Sequence, residues 1–410
     1  MQKNIIDYVA NNMQTFEECP FNNVDSLVLS QLSYYNFEVI DEELIAKEQY
    51  KCITIRDLLK AEVMKPFLIT PWNVELSKKF IFNLAASPRF RNIGICSYSN
   101  VKNYESEMQF SAITFILDKR EIYIALRGTD SSFVGWKENL NMAFMSPVPA
   151  QIAAKNYLTE VANCKLGKIR IGGHSKGGNL AIYSAIFASE SIKNRLIEVY
   201  SHDGPGFPIN IVKSKDYINL QHKIDITLPQ SSLVGLLLEN HTNYKVIKSN
   251  RISILQHDPY SWAISDNSFI YVENVKDSAY YMDLALNEWI NSLKHEEREE
   301  FVNVLYDILN ASGSDNFRDL IKNPQISING ILDEIKNMDE NTKFHMSKTI
   351  KILADRYFSI IKEVPRNKYN NIKKIGEDMP IYSIIKKQNN NFEHVKNKIS
   401  IEYRKNRKLK

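Results

Sequence analysis

The spacing of apolar residues changes period along the chain, and each change marks an element. Phe110–Leu117 and Glu121–Leu126 are rich in Ile, Phe, Tyr and Thr and flank Asp118-Lys119-Arg120. β-Branched and aromatic runs around a short polar turn predict an antiparallel hairpin. Upstream, Val24–Leu32 carries apolar residues at helical spacing. Val74–Ala86 reads as a helix entered at Thr70-Pro71-Trp72-Asn73 and closed at Ser87-Pro88-Arg89. Residues 1–70 as a whole read as helical and irregular, a layer on the main core, with Tyr34 and Tyr35 as core or rim aromatics. Downstream, helical patterns run from Trp136 to Phe144 and over Pro149–Cys164, the second with Ile152, Ala153, Tyr157 and Val161 on one face. A β-type run, Lys168 to Ile171, follows directly, giving a helix–strand–helix crossover onto a parallel sheet. Leu196–Ser201, Tyr217–Ile224 and Tyr244–Ile247 read as later strands. Asp277–Lys294, Glu297–Leu309 and Asn341–Glu363 then repeat a one-faced helical pattern.

Length and charge divide this pattern into parts. The 410 residues exceed a usual single domain, and 44% hydrophobic content is enough for a large core. The net charge of +4 is uneven: from Lys362 onward 14 Lys and Arg face 5 Asp and Glu, a surplus of +9 that leaves −5 for the rest. The expected organisation is an α/β domain over 1–275, a helical subdomain over 276–364 and a basic tail over 365–410. Such a tail is a solvated terminus or makes weak contact with an anionic membrane surface. Nucleic acid is not expected as a partner, because no stacking surface or motif accompanies the charge. The four cysteines are scattered and read as free thiols in a reducing compartment. The N-terminus has no signal-peptide core, and the longest apolar runs are too short to span a bilayer. The expectation is a soluble cytoplasmic protein.

Candidate chemistry centres on Gly172-Gly173-His174-Ser175-Lys176-Gly177-Gly178, between the Lys168–Ile171 strand and a helix-forming run. Gly173 and Gly177 flank Ser175 in the G-x-S-x-G spacing of a nucleophile elbow. A sharp strand-to-helix turn lifts the Ser175 hydroxyl out of the sheet, near the positive end of the helix. The Lys176 N–H would point at the same spot and hold an oxyanion. Ala125-Leu126-Arg127-Gly128-Thr129-Asp130 ends the earlier strand in a small turn. There the Thr129 N–H and hydroxyl are the natural second donors.

A general base must sit on a loop at the carboxyl edge of the sheet. Of eight histidines, His174 adjoins the nucleophile, and His295, His345 and His394 lie in the helical part. Of His202, His222, His241 and His257, the last occupies a loop after the final strand, within Gln256-His257-Asp258-Pro259-Tyr260-Ser261-Trp262. His257 is the expected base. Two acids, Asp203 and Asp225, read as ending strands. Asp225 precedes the histidine loop and is favoured. Asp203, set in Gly204-Pro205-Gly206, reads as a turn-capping residue and is the alternative. Asp258 is too near His257 in sequence to orient it.

These pieces resemble the class 3 lipase branch of the α/β-hydrolases: A-L-R-G-T-D at 125–130, G-H-S-K-G-G-N-L-A at 173–181, D-G-P-G at 203–206, K-I-D-I-T-L-P at 223–229 and Q-H-D-P-Y-S-W at 256–262. They are closer still to an uncharacterised lipase-like bacterial family. The resemblance spans roughly residues 1–270 and leaves the last 140 unexplained. It implies an α/β-hydrolase fold with a mixed, mostly parallel sheet flanked by helices. It also implies Ser175 as nucleophile, Asp225 as acid, His257 as base and an oxyanion hole of Thr129 and Lys176. The expected activity is cleavage of carboxylic or lipid esters without metal or organic cofactor. Peptidase and thioesterase chemistry and a catalytically silent, partner-binding scaffold are the rivals. Lipases of this branch carry an apolar residue where Lys176 stands, so its cation would favour an anionic substrate or point outward to an acidic partner.

Overall fold

The computed structural model describes residues 2–40, 52–68, 73–130, 132–142, 145–239, 244–312 and 333–362. In chain order the main elements are α1 (Ile5–Asn11), α2 (Asn23–Leu32), β1 (Ile53–Thr54), α3 (Val74–Ala86), β2 (Gly94–Asn103), β3 (Met108–Ile116), β4 (Glu121–Leu126), α4 (Phe133–Asn141) and α5 (Pro149–Cys164). Then come β5 (Lys168–His174), α6 (Lys176–Ile186), β6 (Leu196–His202), β7 (Ile224–Pro229), β8 (Lys245–Ile247), β9 (Ile264–Ser265), β10 (Ser268–Phe269), β11 (Tyr271–Val272), α7 (Asp277–Ser292), α8 (His295–Asn310) and α9 (Glu340–Lys362).

One nine-stranded sheet runs β1-β2-β3-β4-β5-β6-β7-β8-β11. Strands β4 to β8 are parallel neighbours, and antiparallel strands flank them on both sides. The predicted hairpin is β3–β4, paired from Ala112–Leu126 to Ile116–Ile122. The fold is therefore the expected α/β class. Strand β2 has no counterpart in the sequence reading.

Because the parallel strands follow chain order, right-handed crossovers place their helices on one face of the sheet. Side chains alternate across a strand. Accordingly Ile122, Ile124 and Leu126 of β4 pack with Ala154 and Leu158 of α5 and Leu180 of α6. Tyr123 and Ala125 face the other way, onto Ile5, Leu27, Val28 and Phe80 of the N-terminal layer. That layer is the cover a sequentially ordered sheet lacks on its second face.

A buried ion pair clamps the layer. Asp25 and Arg89 side chains are both fully buried, with Arg89 Nη2 2.5 Å from Asp25 Oδ2. Arg89 Nε donates to Asp25 Oδ1 at 2.8 Å. Its other N–H groups reach the carbonyls of Gln14, Thr15, Cys19 and Pro20. Asp25 also accepts from Asn22 N, closing the capping box of α2, and from the Tyr8 hydroxyl.

Three expectations change. Tyr217–Ile224 is not a strand: Lys215–Leu220 is a helix capped by Ser214, and residues 221–223 form a 3-10 turn that carries His222. The strand starts at Ile224, so Asp225 stands near its beginning rather than after its end. The elbow helix begins at Lys176 rather than near Asn179. The C-terminal helical patterns appear as α7, α8 and α9, where Trp289 Nε1 of α7 donates to Thr349 O of α9 at 2.9 Å. Lys137 of α4 lies 4.6 Å over the Tyr306 ring of α8. Thr70–Trp72, Phe144, His241, His394 and the basic tail lie outside the described residues. Among the described residues no helix is long and apolar enough to cross a membrane.

Removing one partner of a fully buried pair strands the other charge, at a cost of about 3–5 kcal/mol. Arg89→Met should lower unfolding stability by about that amount, and Asp25→Leu added to it should recover part of the loss. Denaturant midpoints of the two variants check this, and a wild-type midpoint for Arg89→Met would count against the clamp.

Candidate active site

Strand β5 runs straight into α6 with Ser175 between them at φ 60°, ψ −134°. Ser175 N donates to His202 O, and Gly178 N donates to Ser175 O. The turn depends on close backbone approach. A Cβ on Gly177 would lie 2.0 Å from Leu126 O, and one on Gly173 would lie 2.4 Å from Gly177 C. Lys176 is the first residue of its helix, so its N–H has no intrahelical partner. Thr129 Oγ1 is buried with no hydrogen-bond partner among the described residues. The turn carrying Thr129 is braced by Asp130, which accepts from Ser132 and pairs with Lys102 at 2.7 Å and Arg127 at 3.7 Å. Burial works against the Asp130 charge, but the two cations and Ser132 overcome it and hold the carboxyl at about 2.

His257 ends a 3-10 turn, Ser253–His257, and each neighbour in its motif has a structural task. Fully buried Gln256 accepts from Ser231 N and donates to Arg251 O. Trp262 Nε1 donates to Gln256 O at 2.7 Å. Asp258 caps Tyr260 N and pairs with Arg251 at 2.8 Å.

The acid beside His257 is Asp203, with Oδ2 2.6 Å from His257 Nδ1. Asp203 follows β6 at φ 53° and is fully buried. Its Oδ1 accepts from the Ser232 hydroxyl and from Gly235 N. The expectation for Asp225 is thus corrected. Asp225 pairs in register with Tyr200 and bonds Asn23 at 2.8 Å and Lys245 at 2.5 Å. Tyr200 stands three positions before Asp203, so Asp225 lies roughly 10 Å down the sheet from the carboxyl edge.

The Lys176 side chain is also corrected. It is 1% exposed and faces neither substrate nor an outside partner. Its Nζ donates to Gln109 O at 2.6 Å, Gln109 Oε1 at 2.9 Å and Glu138 Oε2 at 2.9 Å. Burial pulls this ammonium below the ordinary lysine range, and Glu138 opposes it. Asn179, one turn along α6, donates to Pro205 O and Gly206 O and so holds the turn after Asp203. The clue to Asn179 and Gln256 was their place inside the quoted motifs.

His174 and His202 are neutral structural histidines. His174 Nε2 donates to His257 O at 2.8 Å, and burial drives its pKa well below 6.5. His202 Nε2 meets Ser26 Oγ at 2.8 Å, and burial pushes it down to about 4. Among the described residues no group of three or more His, Cys, Asp or Glu side chains is placed to hold a metal ion.

A nucleophile elbow on a mixed α/β sheet, with a His–Asp pair beyond its strands, defines an α/β-hydrolase-like protein. The chain belongs to the Mbeg1-like family, whose profile matches residues 84–307, more than half of its length. Three solved lipases are similar. A fungal lipase in complex with an inhibitor is 15% identical over 55% of this chain and 78% of its own, with a TM-score of 0.34. Rhizomucor miehei lipase with its propeptide is 14% identical over 57% and 78%, with a TM-score of 0.33. M37 lipase is 15% identical over 53% and 70%, with a TM-score of 0.29. No curated protein matches the chain.

The two neutral histidines set a pH dependence. Unfolded imidazoles take up protons below about 6.5, whereas folded His202 resists until about 4. Its contribution is therefore complete above about 6.5 and is lost as pH falls through that window, on the order of 3 kcal/mol in all. Denaturant midpoints between pH 7.5 and 4 should fall, and His202→Asn should flatten the slope. Equal slopes would show that His202 does not carry the effect.

Proposed function

We propose that this protein is a serine hydrolase that cleaves carboxylic esters through an acyl-enzyme. The observation that carries the reading is the 2.6 Å contact of His257 Nδ1 with buried Asp203, beyond the strand next to the Ser175 elbow. In this reading Ser175 Oγ bonds to the ester carbonyl carbon while His257 Nε2 takes the hydroxyl proton. Asp203 keeps the Nδ1 proton in place and stabilises the imidazolium. The N–H groups of Thr129 and Lys176 hold the oxyanion. The C–O bond to the leaving alcohol breaks, and the alcohol takes the proton from His257. Water, deprotonated by His257, then attacks the acyl-Ser175, the acyl C–Oγ bond breaks, and His257 returns its proton to Ser175 Oγ as the carboxylic acid leaves. The catalytic residues are Ser175, His257 and Asp203.

The test is hydrolysis of a short p-nitrophenyl ester alongside labelling with a fluorophosphonate probe. Ser175→Ala should abolish both. Asp203→Asn should lower kcat by up to about 10⁴-fold, the scale seen when a triad acid is lost. Asp225→Asn should stay within about threefold of wild type, since its partners are Asn23 and Lys245. Equal losses in the two aspartate variants, or unimpaired Ser175→Ala, would overturn this assignment.

A further inference from the structure

The N-terminal layer reaches the proposed centre through one hydroxyl. Tyr34, just beyond α2, is 9% exposed. Its hydroxyl lies 3.2 Å from His174 Nδ1 and 3.3 Å from His174 O. The same oxygen packs directly against Gly128. A Cβ on Gly128 would sit 2.1 Å from that oxygen and 2.6 Å from His174 O, so a side chain there would break the contact.

The protons along this path are ordered by their partners. His174 Nε2 faces the carbonyl of His257 at 2.8 Å, so Nε2 carries a proton. Burial keeps the ring neutral, which leaves Nδ1 as an acceptor. The Tyr34 O–H is the donor beside it. The His174 and His257 rings are 4.5 Å apart between centroids. Tyr34 therefore donates to His174, and His174 donates to the backbone of His257.

We propose that Tyr34 is a positioning residue for the active site, fixing the His174 tautomer and through it the backbone of the base. The same hydroxyl packs against Gly128 in the turn that presents Thr129. This inference rests on the serine-hydrolase reading above. It places a determinant of activity before residue 84, where the family match begins. Removing the hydroxyl lets the His174 proton move to Nδ1, where it no longer reaches His257 O.

The test uses the full chain with Tyr34→Phe, which keeps the ring. Tyr157→Phe is the control, since it removes a buried hydroxyl that bonds Thr114 and Ser97 O on another part of the sheet. For a short p-nitrophenyl ester, Tyr34→Phe should lower kcat by about ten- to a hundredfold with KM within about twofold, because misplaced groups lose rate rather than binding. Tyr157→Phe should keep wild-type kcat. In spectra of protein labelled with ¹⁵N-histidine, the slowly exchanging His174 Nε2–H signal should be present in wild type and Ser175→Ala and lost or shifted in Tyr34→Phe. His174→Gln retains an N–H at the Nε2 position without a tautomer to fix. Adding Tyr34→Phe to it should therefore cost markedly less than Tyr34→Phe costs in wild type. Wild-type kcat for Tyr34→Phe, an unchanged His174 signal, or full additivity with His174→Gln would each overturn the proposal. Wild-type hydrolysis by Ser175→Ala would instead overturn the hydrolase reading, and the histidine spectra would still judge the Tyr34 link.

Discussion

The close approach of two backbones at Gly177 is the constraint from which the rest of this structure follows. With 2.0 Å between a Gly177 Cβ position and Leu126 O, the elbow helix lies against the end of β4 with no room for a side chain. That contact ties Ser175 to the turn at Arg127–Asp130, because both leave adjacent parallel strands at the same level. It also forces Ser175 to φ 60°, a conformation that a non-glycine residue holds only when its surroundings over-determine it.

The surroundings do so with polar contacts that radiate from one short run. His174 reaches His257, Lys176 reaches Glu138, and Asn179 reaches the turn behind Asp203. Each spoke starts from a buried side chain, so each is costly to break. Glu138 itself accepts from Gln109 N and Ala150 N, which joins α4 and the start of α5 to the same network. The cation beside Ser175 is thereby a structural tie. Its charge is consumed inside the protein rather than offered to a substrate.

Strand order explains the rest of the architecture. Sequential parallel strands send every crossover to one face, and the opposite face would expose Tyr123, Ala125 and Tyr200 to water. The N-terminal layer covers them, fastened by Asp25 and Arg89. The same layer carries Ser26, which bonds His202 Nε2, and Tyr34, which touches His174. Covering the sheet and bracing the site are one task performed by one segment.

The parts legible in the sequence were those written in local periodicity. The β3–β4 hairpin, α3, α5 and the elbow follow from residues within a few positions of each other. His257 stood out as the histidine of a loop beyond the last parallel strand. The partner of His257 was not legible, because it depends on where neighbouring strands begin. Reading Tyr217–Ile224 as strand slid Asp225 to a strand end it does not occupy, whereas the capping role of Ser214 was the local sign of a helix. The direction of the Lys176 side chain and the reach of Tyr34 were equally hidden, since Gln109, Glu138 and His174 come near them only through pairing of distant segments. The sequence by itself determined the elements and the glycine-flanked turn at Ser175, because short-range sterics and apolar spacing act within one segment. Tertiary structure alone decided which acid meets His257 and what braces the elbow, because register and packing across the sheet bring those groups together.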